Sequence, residues 1–268
     1  MNDFLIDTHA HLDVNDFNED RLETISRAID AGVGNIITVG TDLESSKKAV
    51  ELCEQHVGIY AAAGIHPHDS AEIEKVDIDR LGEIADHPGV VAIGETGLDF
   101  YRDYSPREAQ IQIFKWQLAL SEEMGLPIII HCRQAEEVML QLLDSLLSDQ
   151  KDAPRKYRGV IHCFSGDGNA AKMYLDMGFY LSFGAYIGYP SSAGIHDVLR
   201  SIPGDRLLIE TDCPFLPPQT YRGKRNEPSY LPFTVNTLAE IRQEPYEVIA
   251  RESTQNAQRL FGLPMMND

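Results

Sequence analysis

Short apolar runs rich in β-branched residues recur eight times along the chain, at 4–8, 35–40, 58–64, 90–95, 127–131, 159–163, 179–183 and 206–211. Between them apolar positions fall at helical spacing. Leu22, Ile25, Ala28 and Ile29 form one such face, and Leu118, Leu120 and Met124 another, after the polar start Ser105-Pro106-Arg107-Glu108. The strands are continuously apolar rather than alternating, which implies burial on both faces. Parallel strands joined by helices supply that environment.

Eight strand–helix units predict an α/β fold, a (β/α)8 TIM barrel, as a single domain over residues 1–268. The competing architecture is an open, doubly wound sheet, but no Gly-x-Gly-x-x-Gly follows the first strand. The longest irregular stretch follows Asp212. It contains Pro214, Pro217 and Pro218, then Tyr221-Arg222-Gly223-Lys224-Arg225, before helical spacing resumes near Leu231.

The pattern also gathers chemistry. Asp7, His9 and His11 stand two apart at the end of the first strand, so alternation brings both imidazoles toward one ion. Glu95 ends the fourth strand, His131 the fifth and His162 the sixth, and Asp212 directly follows the eighth. Active sites of this architecture lie at the carboxyl ends of the strands, so these distant residues converge there.

Four imidazoles and two carboxylates are enough donors for two divalent metal ions (Mg, Mn or Zn), with Glu95 as the bridge because each of its oxygens can serve one ion. Such a centre polarises a phosphoryl or carbonyl group and lowers the pKa of water. Asp212 is placed to take the proton, which makes Glu95 and Asp212 the catalytic candidates. The alternative is a purely structural zinc site, but such sites are usually closed and Cys-rich. Cys132, Cys163 and Cys213 each follow a proposed ligand, where a strand residue points to the opposite face, and read as packing residues.

Composition narrows the setting. Four cysteines lie far apart without a CxxC pair, there is no signal-like amino terminus, and no apolar run reaches membrane-spanning length. A cytoplasmic, monomeric protein without a membrane partner is expected. The formal charge of −19 argues against an extended nonspecific nucleic-acid groove. It leaves room for a nuclease whose positive charge resides in bound ions.

Seven motifs standing in order give a resemblance. They are Ile6-Asp7-Thr8-His9-Ala10-His11-Leu12-Asp13, Gly64-Ile65-His66-Pro67-His68, Gly94-Glu95-Thr96-Gly97-Leu98-Asp99, Ile130-His131-Cys132-Arg133, His162-Cys163-Phe164-Ser165-Gly166, Ile209-Glu210-Thr211-Asp212-Cys213-Pro214 and Arg225-Asn226-Glu227-Pro228. Together they resemble the TatD family of metal-dependent deoxyribonucleases over nearly the whole chain. The resemblance implies a barrel of the metallo-dependent (amidohydrolase-type) hydrolases with His9, His11, Glu95, His131, His162 and Asp212 as metal ligands. It also implies hydrolysis of DNA phosphodiesters, by analogy with 3′ to 5′ exonucleases. Other relatives implied by the same resemblance remove D-amino acids from tRNA, so aminoacyl-tRNA is the alternative substrate.

Candidate substrate-binding residues are His66 after the third strand, Arg133 two residues beyond His131, and Arg222 and Arg225 in the basic run with Lys224. Glu210 is expected to orient a ligand from behind. His68 is expected to cap its loop. Phe164, Tyr101 and Tyr104 are aromatic side chains near the mouth that could stack on bases or simply pack.

Overall fold

In the computed structural model, which describes residues 4–148 and 157–264, eight parallel strands follow one another in chain order around a barrel. They are β1 (Leu5–Ala10), β2 (Val33–Val39), β3 (Ile59–Ala63), β4 (Val90–Asp99), β5 (Ile128–Arg133), β6 (Gly159–Ile161), β7 (Tyr180–Phe183) and β8 (Leu207–Ile209). The crossovers are α1 (Arg21–Asp30), α2 (Leu43–Gln55), α3 (Lys75–Ala85), α4 (Arg107–Met124), α5 (Glu136–Ser148), α6 (Gly168–Asp176) and α7 (His196–Ser201), and α8 (Leu231–Arg242) and α9 (Tyr246–Phe261) follow β8. Each expected strand overlaps an observed one. Among the described residues no helix is long and apolar enough to cross a membrane.

Local sequence sets several of these limits. Asp42 caps α2 by accepting the Ser45 N–H at 2.7 Å, while the Ser45 hydroxyl accepts the Asp42 N–H. Asp167 caps α6 in the same way through the Ala170 N–H. Helices α4 and α9 stop at Gly125 and Gly262, both left-handed, a conformation glycine adopts without steric cost.

Neighbouring strand residues enter separate cores. Ile6, Ile37, Ile129, Val160 and Leu208 pack with one another and with Leu260 and Phe261 of α9. Their sequence neighbours Leu5, Ile36, Ile128, Ile161 and Leu207 belong to the larger apolar layer shared with the helices. This two-sided burial explains the continuous apolar runs.

The first and last strands meet through backbone bonds at the mouth. Asp212 N–H donates to His9 O at 2.9 Å and His11 N–H to Cys213 O at 2.8 Å, and Ala10 bridges Cys213. The seam of the barrel therefore runs through three of the candidate ligands.

Candidate metal centre

Strand ends deliver most of the donors, whereas Glu95, expected to end the fourth strand, lies inside β4, which runs on to Asp99, and regular alternation is not the whole cause. The pairing of β1 with β2 shifts between Asp7 and Ala10, and that of β4 with β5 between Ile93 and Thr96. Strands β6 and β8 end at Ile161 and Ile209, and His162 and Asp212 lie just beyond them. Asp212 is left-handed at φ 57°, a region aspartate tolerates better than most residues. Its orientation comes from that turn, which Asp7 holds by accepting the Thr211 N–H at 2.9 Å and hydroxyl at 2.6 Å.

The other five proposed ligands gather about Glu95, which is 3 % exposed. Its Oε2 lies 3.4 Å from His9 Nε2 and 3.7 Å from His11 Nε2. Its Oε1 lies 2.7 Å from His131 Nδ1 and 2.8 Å from His162 Nε2. Asp212 Oδ1 stands 3.9 Å from His9 Nε2 and 3.6 Å from His11 Nε2. The carboxylate thus offers one oxygen to each of two histidine pairs.

These atoms fit a divalent ion. His9 Nε2 and His11 Nε2 are 3.3 Å apart and group with Asp212, and each nitrogen lies 3.4–3.9 Å from Glu95 Oε2 and Asp212 Oδ1. A tetrahedron with its centre about 2.1 Å from each donor has edges of roughly 3.4 Å. His131 Nδ1 and His162 Nε2, also 3.3 Å apart, form the second set with Glu95 Oε1.

The far side of most rings is held by an acceptor, which settles the nitrogen that faces inward. His11 Nδ1 donates to Val39 O at 2.9 Å, leaving Nε2 for the site. His131 Nε2 lies 3.1 Å from Asp99 Oδ2, leaving Nδ1. His162 Nδ1 is 3.4 Å from Glu210 Oε1, which also accepts the Cys163 N–H. His9 Nδ1 is buried without a hydrogen-bond partner, as is His162 Nδ1 despite its approach to Glu210, and the two rings stack at 4.0 Å.

Charge points the same way. Burial opposes ionisation of Glu95, but the surrounding His162, His66 and His131 hold it well below the usual carboxylate range. Asp212 is likewise lowered against the effect of burial, chiefly by the His11 hydrogen bond. For His11, burial is overridden by Asp212 and Glu95, which push it up to about 9. Anionic oxygens packed this densely call for positive charge, and metal ions supply it in place of ring protons.

His66 approaches Glu95 Oε1 at 3.5 Å and completes a donor group with His131. Its Nδ1, however, accepts the His68 N–H at 3.1 Å. Burial lowers its pKa to about 3, so the neutral ring carries its proton on Nε2. His66 is therefore a hydrogen-bond donor into the site. His68 does more than cap its loop, because its Nε2 shares Asp99 Oδ2 at 3.0 Å.

Asp99 is the functional residue the sequence reading overlooked. Its Oδ2 serves both His131 and His68, and its Oδ1 accepts the N–H groups of Tyr101 and Arg102. A signal was present: Glu95, Gly97 and Asp99 share one parity along β4. Glycine at 97 is required by the close approach of β5, since a Cβ there would lie 1.9 Å from His131 O.

The other candidates divide. Arg133 is exposed at the rim, with its guanidinium 4.1 Å from the Tyr101 ring. Arg222 stacks over Tyr189 at 4.3 Å. Arg225 is a correction to the expected basic phosphate contact: it grips Asp20 through two bonds of 2.7 Å and donates to Asp16 O. Its terminal N–H groups are already used in tying the loop to α1. Phe164 is 2 % exposed and meets Tyr174 and Phe183 edge-on, so it packs. Cys132 and Cys163 pack against the core and Cys213 is buried within it.

Known proteins resemble this chain along nearly its whole length. The family model described as TatD related DNase matches residues 6–262. The chain is 42% identical to the uncharacterized metal-dependent hydrolase YabD of Bacillus subtilis, over 96% of this chain and 98% of that protein. It is 36% identical to the 3'-5' ssDNA/RNA exonuclease TatD of Pantoea ananatis, over 97% and 100% of the two chains. The crystal structure of YJJV, a TatD homolog from Escherichia coli, superposes with a TM-score of 0.90 at 33% identity, covering 98% of this chain and 100% of that one.

Proposed function

The chain belongs to the TatD-related DNase family, as a metal-dependent hydrolase acting on ester bonds, and from that premise we propose that it hydrolyses DNA phosphodiesters, removing nucleotides from 3′ ends. The observation that carries this reading is the division of Glu95 between two histidine pairs, one at each carboxylate oxygen. His9, His11, Glu95 and Asp212 would hold one divalent ion, and Glu95, His131 and His162 a second. When bound, such ions polarise the phosphoryl group and make hydroxide available near neutrality.

The remaining work falls to the chain's own groups. Asp212 is ionised and, with 13% of its side chain exposed, borders the open side of the site, whereas Glu95 is closed off. Asp212 is therefore the acceptor for the proton of the attacking water. His66 Nε2–H faces inward from β3 and can donate to a phosphate oxygen or to the departing alkoxide. Asp99 and Glu210 keep His131 and His162 oriented.

A metal-screened assay tests the reading. Purified protein supplied with manganese, magnesium or zinc is expected to shorten single-stranded DNA from its 3′ end, and His131→Ala to abolish that activity. Intact DNA under all three metals, together with release of D-amino acids from charged tRNA, would overturn the phosphodiester assignment in favour of carbonyl-ester hydrolysis.

A further inference from the structure

On the outer wall of the barrel, α3 and α4 bound a groove of about 450 Å³ that contains none of the metal-centre residues. Its α3 side is made by Lys75, Ile78, Asp79, Gly82, Glu83 and Asp86, which recur at helical spacing and form one stripe down the helix to its carboxyl-terminal cap. Its α4 side is made by Ala119, Leu120, Glu123 and Met124, in the turns before Gly125. The floor is apolar. Ile78 is fully buried, and Leu120 and Met124 are half-buried against the same core.

Gly82 keeps the groove open. Glycine inside a helix is destabilising relative to alanine, and here neither a turn nor a positive φ asks for it. A Cβ at 82 would crowd only the tip of the Leu120 side chain, at 3.3 Å, so a longer side chain would lie in the groove itself.

Charge is distributed unevenly along the groove. At one end Lys75 pairs with Asp79 at 3.7 Å and lies 5.9 Å from the centre of the Trp116 ring. At the other end the exposed carboxylates of Glu83, Asp86 and Glu123 border the floor, and none of the three is paired with a cation among the described residues. This combination selects its occupant. Phosphates would be repelled, and a second copy of a chain with formal charge −19 would bring acid against acid. An apolar strip flanked by Lys or Arg satisfies floor and border together, and an amphipathic helix laid along two others presents such a strip.

We propose that the α3–α4 groove docks a basic amphipathic helix of a partner protein. Apolar side chains of the partner enter over Gly82, between Ile78 and Leu120, and its cations meet Glu83, Asp86 and Glu123. Because the groove lies outside the metal centre, the partner can be held while the hydrolytic site stays open.

The protein carries its own reporter. Trp116 is the single tryptophan of the chain and stands at the Lys75 end of the groove. The ligand for the test is a tryptophan-free leucine–lysine peptide of about four helical turns, with its leucines at helical spacing, and the control is the same composition scrambled so that no apolar face forms. The patterned peptide is expected to shift Trp116 emission saturably and to bind at least about tenfold more tightly than the scrambled one. Gly82→Met fills the groove and should weaken binding about tenfold or more. Glu83→Gln combined with Glu123→Gln should weaken it about fivefold and flatten its dependence on salt. Glu240→Gln, on the exposed face of α8, removes one negative charge elsewhere and should leave binding unchanged. Circular dichroism and the thermal transition establish that each variant is folded, and if Gly82→Met is not, the glutamine pair decides. Equal binding of the two peptides, an emission that the patterned peptide leaves unmoved, or binding that survives either groove substitution in folded protein overturns the site and leaves only the general attraction of an acidic chain for cations.

Discussion

Two charge-rich clusters lie close to the same end of the barrel, and they are built on opposite principles. In the clamp between α1 and the loop after β8, Arg27 and Arg225 face Asp20 and Glu227, guanidinium N–H opposite carboxylate oxygen, at 2.7–3.2 Å for six of the bonds. Its charges cancel within the cluster. In the donor cluster, ring nitrogens face ring nitrogens at 3.3 Å and no lysine or arginine enters among them. The clamp is complete as it stands, whereas the donor cluster gathers lone pairs around a shared centre. A satisfied network marks architecture, and convergence of like groups marks a site.

The two are also connected. Asn226, between the clamp residues Arg225 and Glu227, donates to Thr211 O at 2.8 Å and to Phe215 O at 2.7 Å. The clamp thereby steadies the backbone on either side of Asp212. It acts on the site by holding its frame.

The comparison fails outright if the bridging carboxylate proves dispensable. Glu95→Gln removes the anion while keeping the shape, and kcat on DNA is expected to fall by about three orders of magnitude or more. Metal content measured on the same protein should fall with it. Retention of both would reduce the donor cluster to a second clamp.

Asp99→Asn sharpens the contrast at smaller scale. Losing the carboxylate behind His131 should weaken metal affinity about 10–100-fold, with the thermal transition of the chelated protein little changed. Direct metal titration provides the readout. An unchanged affinity would confine Asp99 to supporting the 99–102 turn.

Arg225→Ala carries the smallest expected effect. Loss of its charge-assisted bonds at a partly exposed position should lower stability by about 1–2 kcal/mol, with KM for DNA within about twofold of wild type. The pH dependence follows from the same contacts. The Arg225 and Arg27 hydrogen bonds hold Asp20 below the usual carboxylate range. Arg27 does the same for Glu227 against the opposing effect of burial. Their contribution is therefore fully present above the ordinary carboxylate pKa near 4 and is lost as pH falls through the lowered values. Denaturant titrations at neutral pH and near pH 2 should show the variant and wild type converging in acid, and a constant gap would remove the clamp's ionic basis.

The clamp also shows where sequence reasoning stops. The strands were legible because double-sided burial leaves unbroken apolar runs, and His9, His11, Glu95, His131, His162 and Asp212 because each sits where a run ends. Arg225 was not, because a basic run carries no record of the acids the fold will set against it, and Asp20 lies some 200 residues earlier in the chain. His66 was legible as a site residue, but its tautomer depends on a local N–H from His68 that only the turn after β3 brings into place. For Phe164 and Tyr104 the sequence offered equal readings, and only burial separates them.

The closure of the barrel at Ala10 and Cys213 has a consequence for biosynthesis. On the ribosome His9 and His11 are made at the start and Asp212 some two hundred residues later. A nascent chain therefore carries half of a cation cradle with no opposite wall. The His9, His11, Glu95 and Asp212 set is complete only when the segment after the last strand meets the first.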